Sequence, residues 1–176
     1  MTDVRTLIRD PYSIYAKHIL RLRRLNPLNA TPDARMRGTV VHEVLENYFR
    51  EWPKISAEWR REKFTEILED TLQNSVPWPS TRVFWRNRLD QVMDWLIDCE
   101  VERRKNAEPI GFEASGRLEM PDLNFSIRAI ADRVDRRSDG SLIIYDYKTG
   151  VAPTEKQQLF FDKQLYLLAL VGKVTL

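Results

Sequence analysis

The 176-residue chain contains a single cysteine, Cys99. One cysteine cannot form an internal disulfide, and it cannot provide the several thiolates that a structural zinc site or an iron–sulfur cluster needs. The sequence therefore excludes a disulfide scaffold and any metal centre built from cysteines. Cys99 lies within an apolar helical pattern, so we interpret it as a small core residue.

Long apolar runs are also missing. No stretch approaches the roughly 18 apolar residues that span a bilayer, and the polar start of the chain opens no signal-peptide pattern. We therefore expect a cytoplasmic protein without a membrane partner. The net charge of +2 is too small to indicate a polyanionic partner by itself. Arginines do cluster early in the chain and around the hairpin at 132–148, as a site that accepts a polyanion requires, although exposed surface explains any single one of them equally well.

The composition, 43% hydrophobic and 31% charged, is that of an ordinary globular domain. We predict one domain over 1–176, mainly helical over 1–108 and β-β-β-α over 109–176, hence an α/β fold with a mixed sheet flanked by helices. The predicted helices are 6–25, 38–53, 57–74, 81–105 and 154–171, and the predicted strands are 110–118, 125–134 and 142–148. On the fourth helix, the apolar spacing predicts a buried stripe made of Trp85, Leu89, Val92, Leu96 and Cys99. Residues 173–176 resemble the opening of a further strand, so we expect a domain truncated at its C-terminus.

The most informative segment is the predicted hairpin between Asp132 and Lys148. A turn signal at 138–141 separates an acidic strand from an apolar strand that ends in Asp146, Tyr147 and Lys148. Side chains alternate along a strand, so Asp146 and Lys148 share a face and lie about 6.6 Å apart along it. Hairpin pairing would bring Asp132 beside them. Two carboxylates and an ammonium on one face predict a metal-dependent site for phosphodiester hydrolysis.

Magnesium prefers oxygen ligands, which Asp132, Asp146 and the backbone carbonyl of Tyr147 could provide. Lys148 could orient or deprotonate the attacking water, or neutralise charge on the phosphate. An Asp-x-Lys pair can also be a simple exposed ion pair of little energetic value. Its position at the end of an apolar strand favours a functional role. His42 on the second helix is, by pattern alone, an ordinary helical histidine.

Four ordered motifs taken together resemble the RecB-family nuclease domain, a branch of the PD-(D/E)XK superfamily. They are Gly38-x-x-x-His42-x-x-Leu45-Glu46, Asp132-Arg133-Val134-Asp135, Asp146-Tyr147-Lys148-Thr149-Gly150, and Gln164-Leu165. The opening 9–22, with its Arg-Asp-Pro-Tyr start, is most similar to the AddB-type subunit of bacterial helicase–nucleases. The resemblance spans nearly the whole chain and implies a restriction-endonuclease-like core.

The resemblance also implies roles for individual residues. His42, Asp132, Asp146 and the Tyr147 carbonyl would hold Mg²⁺, for which Mn²⁺ may substitute, and Lys148 would be the catalytic lysine. Gln164 would lie near the active site, and Glu113 is a possible additional acid. Three positions depart from the family pattern. Ala129 replaces a usual glycine, Leu168 replaces a frequent tyrosine whose role we do not transfer to Tyr166, and Asp10 replaces a cluster cysteine, so no iron–sulfur cluster is expected.

The function implied is a Mg²⁺-dependent deoxyribonuclease, acting as an exonuclease in a helicase–nuclease of the AddAB or RecBCD kind. Its substrates would be single-stranded DNA or unwound duplex, its partner an AddA-type helicase subunit, and its process double-strand break repair. A catalytically silent DNA-binding or scaffolding module with the same fold is the alternative. An RNA-directed or phage-type relative is a third possibility. The sequence leaves open cleavage polarity and a one-metal or two-metal mechanism.

Overall fold

The computed structural model describes residues 2–23, 25, 31–151, 154–160 and 163–175. The chain forms two compact units. Unit 1 comprises Met1–Ala30, Ala114–Ala131 and Gly150–Leu176, and unit 2 comprises Thr31–Glu113 and Asp132–Thr149. Two strands, Ala107–Met120 and Phe125–Arg137, each contribute to both units. The single-domain organisation stays a prediction.

The first helices of unit 1 are α1, Thr2–Arg9, and α2, Pro11–His18. Asp10 separates them as the N-cap of α2, where its side chain accepts the Ser13 N–H at 3.3 Å and Pro11 occupies the first helical turn. Lys17 and His18 of α2 reach back to Asp3 of α1 at 2.7 and 3.0 Å. The predicted continuous helix 6–25 is therefore wrong, because the cap divides it and α2 ends at His18.

Two further helices of unit 1 occupy the C-terminal part of the chain. They are α6, Glu155–Phe160, and α7, Gln164–Thr175. Thr154 and Gln157 cap α6 reciprocally, each side chain accepting the other's backbone N–H at 3.3 and 3.0 Å. The single predicted helix 154–171 is thus two helices. The predicted strand at 173–176 is wrong for 173–175, which continue α7, and residue 176 lies outside the described range. The sequence did not distinguish the two structures, because a short apolar run fits a buried strand or a buried helix equally well.

Unit 2 is built on three helices: α3, Ala34–Glu51; α4, Arg60–Ser75; and α5, Pro79–Asn106. Short 3₁₀ turns at Trp52–Lys54 and Ala57–Trp59 join α3 to α4. Asp33 caps α3 by accepting the Met36 N–H at 2.7 Å, so this helix begins four residues before the predicted start. The three helices share one apolar core, whose fully buried members include Val44, Tyr48, Phe49, Phe64, Leu68 and Met93.

The buried stripe of α5 differs from the predicted one. Trp85 and Leu96 are buried as expected, but Val92 is 43% exposed and Met93 takes its place in the core. The stripe ends on Glu100, which is fully buried, whereas Cys99 is only half-buried. A search for apolar spacing passes over a glutamate, which explains the miss at Glu100. Val92 and Met93 are both apolar, so their pattern alone did not decide which of the two is buried.

The sheet has three strands in the order β1-β2-β3: β1, Ala107–Met120; β2, Phe125–Arg137; and β3, Leu142–Tyr145. A 3₁₀ turn, Pro121–Leu123, lies between β1 and β2. Strands β2 and β3 pair antiparallel with Arg133 opposite Tyr145, and Gly140 adopts a φ of +82° in the turn between them. The α/β class and the hairpin are confirmed. A parallel strand, which a mixed sheet requires, is not among the described strands, and β3 ends three residues earlier than predicted.

Candidate active site

Three potential metal ligands converge in unit 2 from three different elements. His42 comes from α3, Glu113 from β1 and Asp132 from β2, and one ligand atom from each lies within 4.8 Å of the other two. His42 and Asp132 are half-buried, and Glu113 is exposed. Within the described residues, this is the group of acidic and histidine side chains whose geometry suits a metal ion.

The two ring nitrogens of His42 have different partners. Nε2 lies 2.9 Å from the Tyr147 carbonyl oxygen, which can only accept, so Nε2 carries a proton and donates it. Nδ1 faces Asp132 Oδ1 at 3.4 Å. The hydrogen bond to Asp132 is the main cause that raises the pKa of His42, against the opposing effect of burial. The neutral ring would present its Nδ1 lone pair toward the cluster, with the other nitrogen fixed by a backbone carbonyl, as metal-ligating histidines usually are.

Glu113 has a strained backbone within β1. Its φ is +47°, in the left-handed region that residues other than glycine, asparagine and aspartate seldom adopt. The neighbouring Gly111 and Phe112 are both half-buried, so the alternation of inward and outward residues is interrupted there. A local distortion of this kind redirects a side chain, and such distortions concentrate near active sites.

Negative charge accumulates around Glu113. Partial desolvation of its carboxyl group, and then the nearby carboxylates of Asp132 and Glu46, raise the pKa of Glu113. Glu46 is held by Arg50 at 2.8 Å, and Arg50 also donates to the Phe112 carbonyl at 3.2 Å. Repulsion between carboxylates at one point is relieved by a bound cation.

Tyr147 connects the ligands through its backbone. Its N–H donates to Asp132 Oδ2 at 2.5 Å, and its carbonyl accepts the proton of His42 Nε2. This carbonyl orients His42 from the side of the ring opposite Nδ1, so the predicted metal-ligating role of the Tyr147 carbonyl stays a prediction. The Tyr147 ring packs against Phe49 with centroids 6.3 Å apart, and burial raises the pKa of its hydroxyl to about 12.

The predicted Asp-x-Lys pair is formed, in the loop after β3 rather than on the strand. Lys148 Nζ lies 2.5 Å from Asp146 Oδ2, and the two side chains are 40% and 9% exposed. Asp146 is therefore almost buried and directed to the lysine, while Glu113 joins His42 and Asp132 in the ligand cluster. The metal-ligating role of Asp146 and the catalytic role of Lys148 stay predictions.

The remaining predicted residue, Gln164, is half-buried and begins α7 in unit 1. Its role near the active site is a prediction that no contact described here tests. On the same helix Leu168 is buried and Tyr166 is 64% exposed, so the two residues do face different ways.

Arg133 does not belong to the cationic surroundings that the sequence predicts for the hairpin. Its side chain is fully buried and paired with Asp135 and Glu100. Alternation along β2 gives the reason, because Arg133 and Asp135 face the side opposite to Asp132. The sequence does contain a signal for this pairing, because Arg133 and Asp135 carry opposite charges and stand two residues apart, on one face of the strand.

The donor set suits a hard divalent cation. Carboxylate oxygens and an imidazole nitrogen are ligands that Mg²⁺ and Mn²⁺ accept, and thiolate is absent from the group. His42, Glu113 and Asp132 would hold the ion, with the Tyr147 carbonyl orienting the His42 ring. Metal-assisted phosphodiester hydrolysis is one class of chemistry that such a donor set can support.

The comparisons with known proteins agree with this class. The family model of the PD-(D/E)XK nuclease superfamily matches residues 1–174. The chain therefore belongs to the PD-(D/E)XK nuclease superfamily, and the predicted family and core are confirmed.

Individual relatives are longer proteins. An uncharacterized protein of Rickettsia bellii is 33% identical over 97% of this chain, and so is one of Rickettsia felis. A subunit of the ATP-dependent helicase/deoxyribonuclease of Streptococcus agalactiae is 27% identical over 97% of the chain. The chain spans 21% of the length of the rickettsial proteins and 16% of the streptococcal one.

None of the described helices is long and apolar enough to cross a membrane.

Proposed function

We propose that this chain is the nuclease domain of a larger helicase–nuclease subunit of the AddB type, and that it hydrolyses DNA phosphodiesters with a divalent cation, Mg²⁺ or Mn²⁺. The convergence of His42, Glu113 and Asp132 within 4.8 Å is the observation that carries the proposal. The name of the streptococcal relatives, an ATP-dependent helicase/deoxyribonuclease, supports DNA as the substrate. The parent assembly would act in the cytoplasm at the nucleoid, in double-strand break repair and recombination, with an AddA-type partner.

Each side chain has a proposed task. A cation held at the cluster would polarise the scissile phosphate and promote ionisation of a water molecule. Asp132 and Glu113 would provide the negative charge that holds the cation, and His42 would add a nitrogen ligand whose orientation the Tyr147 carbonyl fixes. Lys148, positioned by Asp146, would stabilise the charge that develops on the phosphate. Gln164 would contribute from α7, and unwound single strands would be trimmed as by an exonuclease.

The direct test is cleavage of end-labelled single-stranded and duplex DNA by the 176-residue chain, with Mg²⁺, Mn²⁺ or EDTA. We expect cleavage of single strands that needs the metal and is lost in Asp132→Asn. The matched control is Asp98→Asn, at an exposed aspartate on α5, which should cleave as the parent does. Metal-independent cleavage, or equal cleavage by Asp132→Asn, would contradict the site.

The same experiment separates the alternatives. Binding of DNA without cleavage at saturating Mg²⁺ and Mn²⁺, in a folded chain, would support the catalytically silent module. Preferential cleavage of RNA in a competition would support the RNA-directed relative. Release of mononucleotides rather than internal fragments distinguishes an exonuclease from an endonuclease.

A further inference from the structure

Four charged side chains form a buried chain of ion pairs on the opposite face of β2 from Asp132. Arg133 donates to both oxygens of Asp135 at 2.5 and 2.7 Å, and it also contacts Glu100 of α5. Glu100 in turn accepts from Arg104 at 2.5 Å. Glu100, Arg133 and Asp135 are fully buried. We call these four residues the buried ion chain.

The buried ion chain is electrically balanced, with two guanidinium groups and two carboxylates. Removing one member leaves an uncompensated charge inside the protein. Apolar side chains of similar volume commonly stabilise a core as well as a buried ion pair does, so stability alone is a poor reason for such an arrangement. Hydrogen bonds with fixed directions can instead specify how the packed elements are aligned.

Arg133 touches the chain neighbours of the site residues. It directly follows Asp132, its guanidinium carbon lies 5.8 Å from the ring of Phe112, which precedes Glu113, and 5.4 Å from the ring of Tyr145, which precedes Asp146. The same guanidinium lies 5.1 Å from the ring of Phe49 on α3, the helix that carries His42.

The far end of the buried ion chain reaches the same helix. Arg104 donates to the Phe49 carbonyl at 3.3 Å, and Phe49 lies seven residues, two helical turns, after His42. The Phe49 ring also packs against Tyr147, whose backbone holds both His42 and Asp132. The buried ion chain thus contacts every element that supplies a candidate ligand.

We propose that Arg133, held by Glu100 and Asp135, is a positioning residue that fixes α3, β1 and β2 at the spacing where His42, Glu113 and Asp132 bind a divalent cation. This inference rests on the proposed metal site. Among the contacts of the described residues, Asp132 is held only by Tyr147 and His42. We therefore assign the task of positioning the ligand elements to the guanidinium of the adjacent residue, Arg133.

The test measures Mn²⁺ affinity by calorimetry, together with kcat and KM for single-stranded DNA, in the 176-residue chain. Glu100→Gln and Asp135→Asn each keep the shape and remove one buried charge. Glu69→Gln is the matched control, since Glu69 forms an exposed pair with Arg86. We expect the dissociation constant for Mn²⁺ to rise about tenfold or more in both buried variants, the range seen when groups that orient ligands are lost. KM should change little and the control should match the parent.

A double variant distinguishes positioning from folding. Glu100→Gln combined with Arg104→Gln restores the charge balance, and we expect it to regain melting temperature but not Mn²⁺ affinity, since Arg133 still lacks its carboxylate on α5. Folded single variants that bind Mn²⁺ as the parent does would overturn the inference, and so would variants that all fail to fold, which would make the buried ion chain a folding determinant. Failure of the parent to bind Mn²⁺ would instead overturn the proposed function.

Discussion

Asp132 Oδ2 accepts the backbone N–H of Tyr147 at 2.5 Å, so a ligand on β2 is fixed by the chain that leaves β3. The carbonyl oxygen of the same residue, Tyr147, accepts a hydrogen bond from His42 Nε2 at 2.9 Å. The backbone of one residue therefore fixes the positions of both the Asp132 carboxylate and the His42 imidazole. The side chain of Tyr147 is not needed for either contact, which allows the backbone and side-chain contributions to be separated.

Tyr147→Phe should leave metal binding and cleavage within about twofold of the parent, because the backbone groups and the ring are retained. Tyr147→Ala should lower the free energy of unfolding by about 3 kcal/mol, since the packing of the ring against Phe49 is lost. Chemical denaturation and Mn²⁺ calorimetry measure the two effects. A large loss of Mn²⁺ affinity in a stably folded Tyr147→Phe would show that the hydroxyl, not the carbonyl, serves the site.

Glu113 should show a conflict between stability and function. Glu113→Gly should raise the free energy of unfolding by about 1 kcal/mol, because glycine adopts a φ of +47° without strain. The same variant should lose Mn²⁺ affinity by about tenfold or more, equivalent to at least about 1.4 kcal/mol, as a charged ligand is removed.

Glu113→Gln serves as the control for this prediction. It removes the charge and keeps the strained backbone, so it should lose Mn²⁺ affinity without gaining stability. Equal Mn²⁺ affinity in Glu113→Gln and the parent would remove Glu113 from the ligand set.

Lys148→Met should reduce kcat by about a hundredfold or more, while Mn²⁺ affinity stays close to that of the parent. The reason is that the ammonium bonds to Asp146 at 2.5 Å and is not one of the three clustered ligands. Lys105→Met, which changes an exposed lysine on α5, is the matched control. Single-turnover cleavage measures the chemical step, and an unchanged rate would exclude Lys148 from it.

Gly38→Ala tests why glycine stands one turn before His42. The added Cβ would lie 3.9 Å from Thr149 Oγ1, an ordinary contact, so the fold itself accepts alanine. Because alanine favours helices, we expect a gain in unfolding free energy of up to about 1 kcal/mol. Weaker binding of DNA by this stable variant, measured by fluorescence anisotropy, would indicate close approach of a phosphate to Gly38. Unchanged binding would assign the glycine no role in DNA recognition.

Local patterns in the sequence were enough to predict the β2–β3 hairpin, the helices of unit 2 and the Asp146–Lys148 pair. Each depends on neighbours within the chain: a turn signal at 138–141, apolar spacing, and an i, i+2 relationship near the end of a strand. They were insufficient at the chain ends, where a cap at Asp10 divides one predicted helix and α6 and α7 replace another.

The residues that act at a distance needed the tertiary structure. The sequence, through its resemblance to a nuclease family, predicted His42, Asp132, Asp146 and Lys148 as site residues. The resemblance named Glu113 only as a possible additional acid, and the tertiary structure places its carboxylate in the cluster, at a point where β1 has a positive φ. Only the tertiary structure shows that Arg133 is buried, because its compensating charge on Glu100 comes from α5, 33 residues earlier in the chain. Desolvation makes a buried charge costly without its partner, and no local pattern reveals where that partner lies.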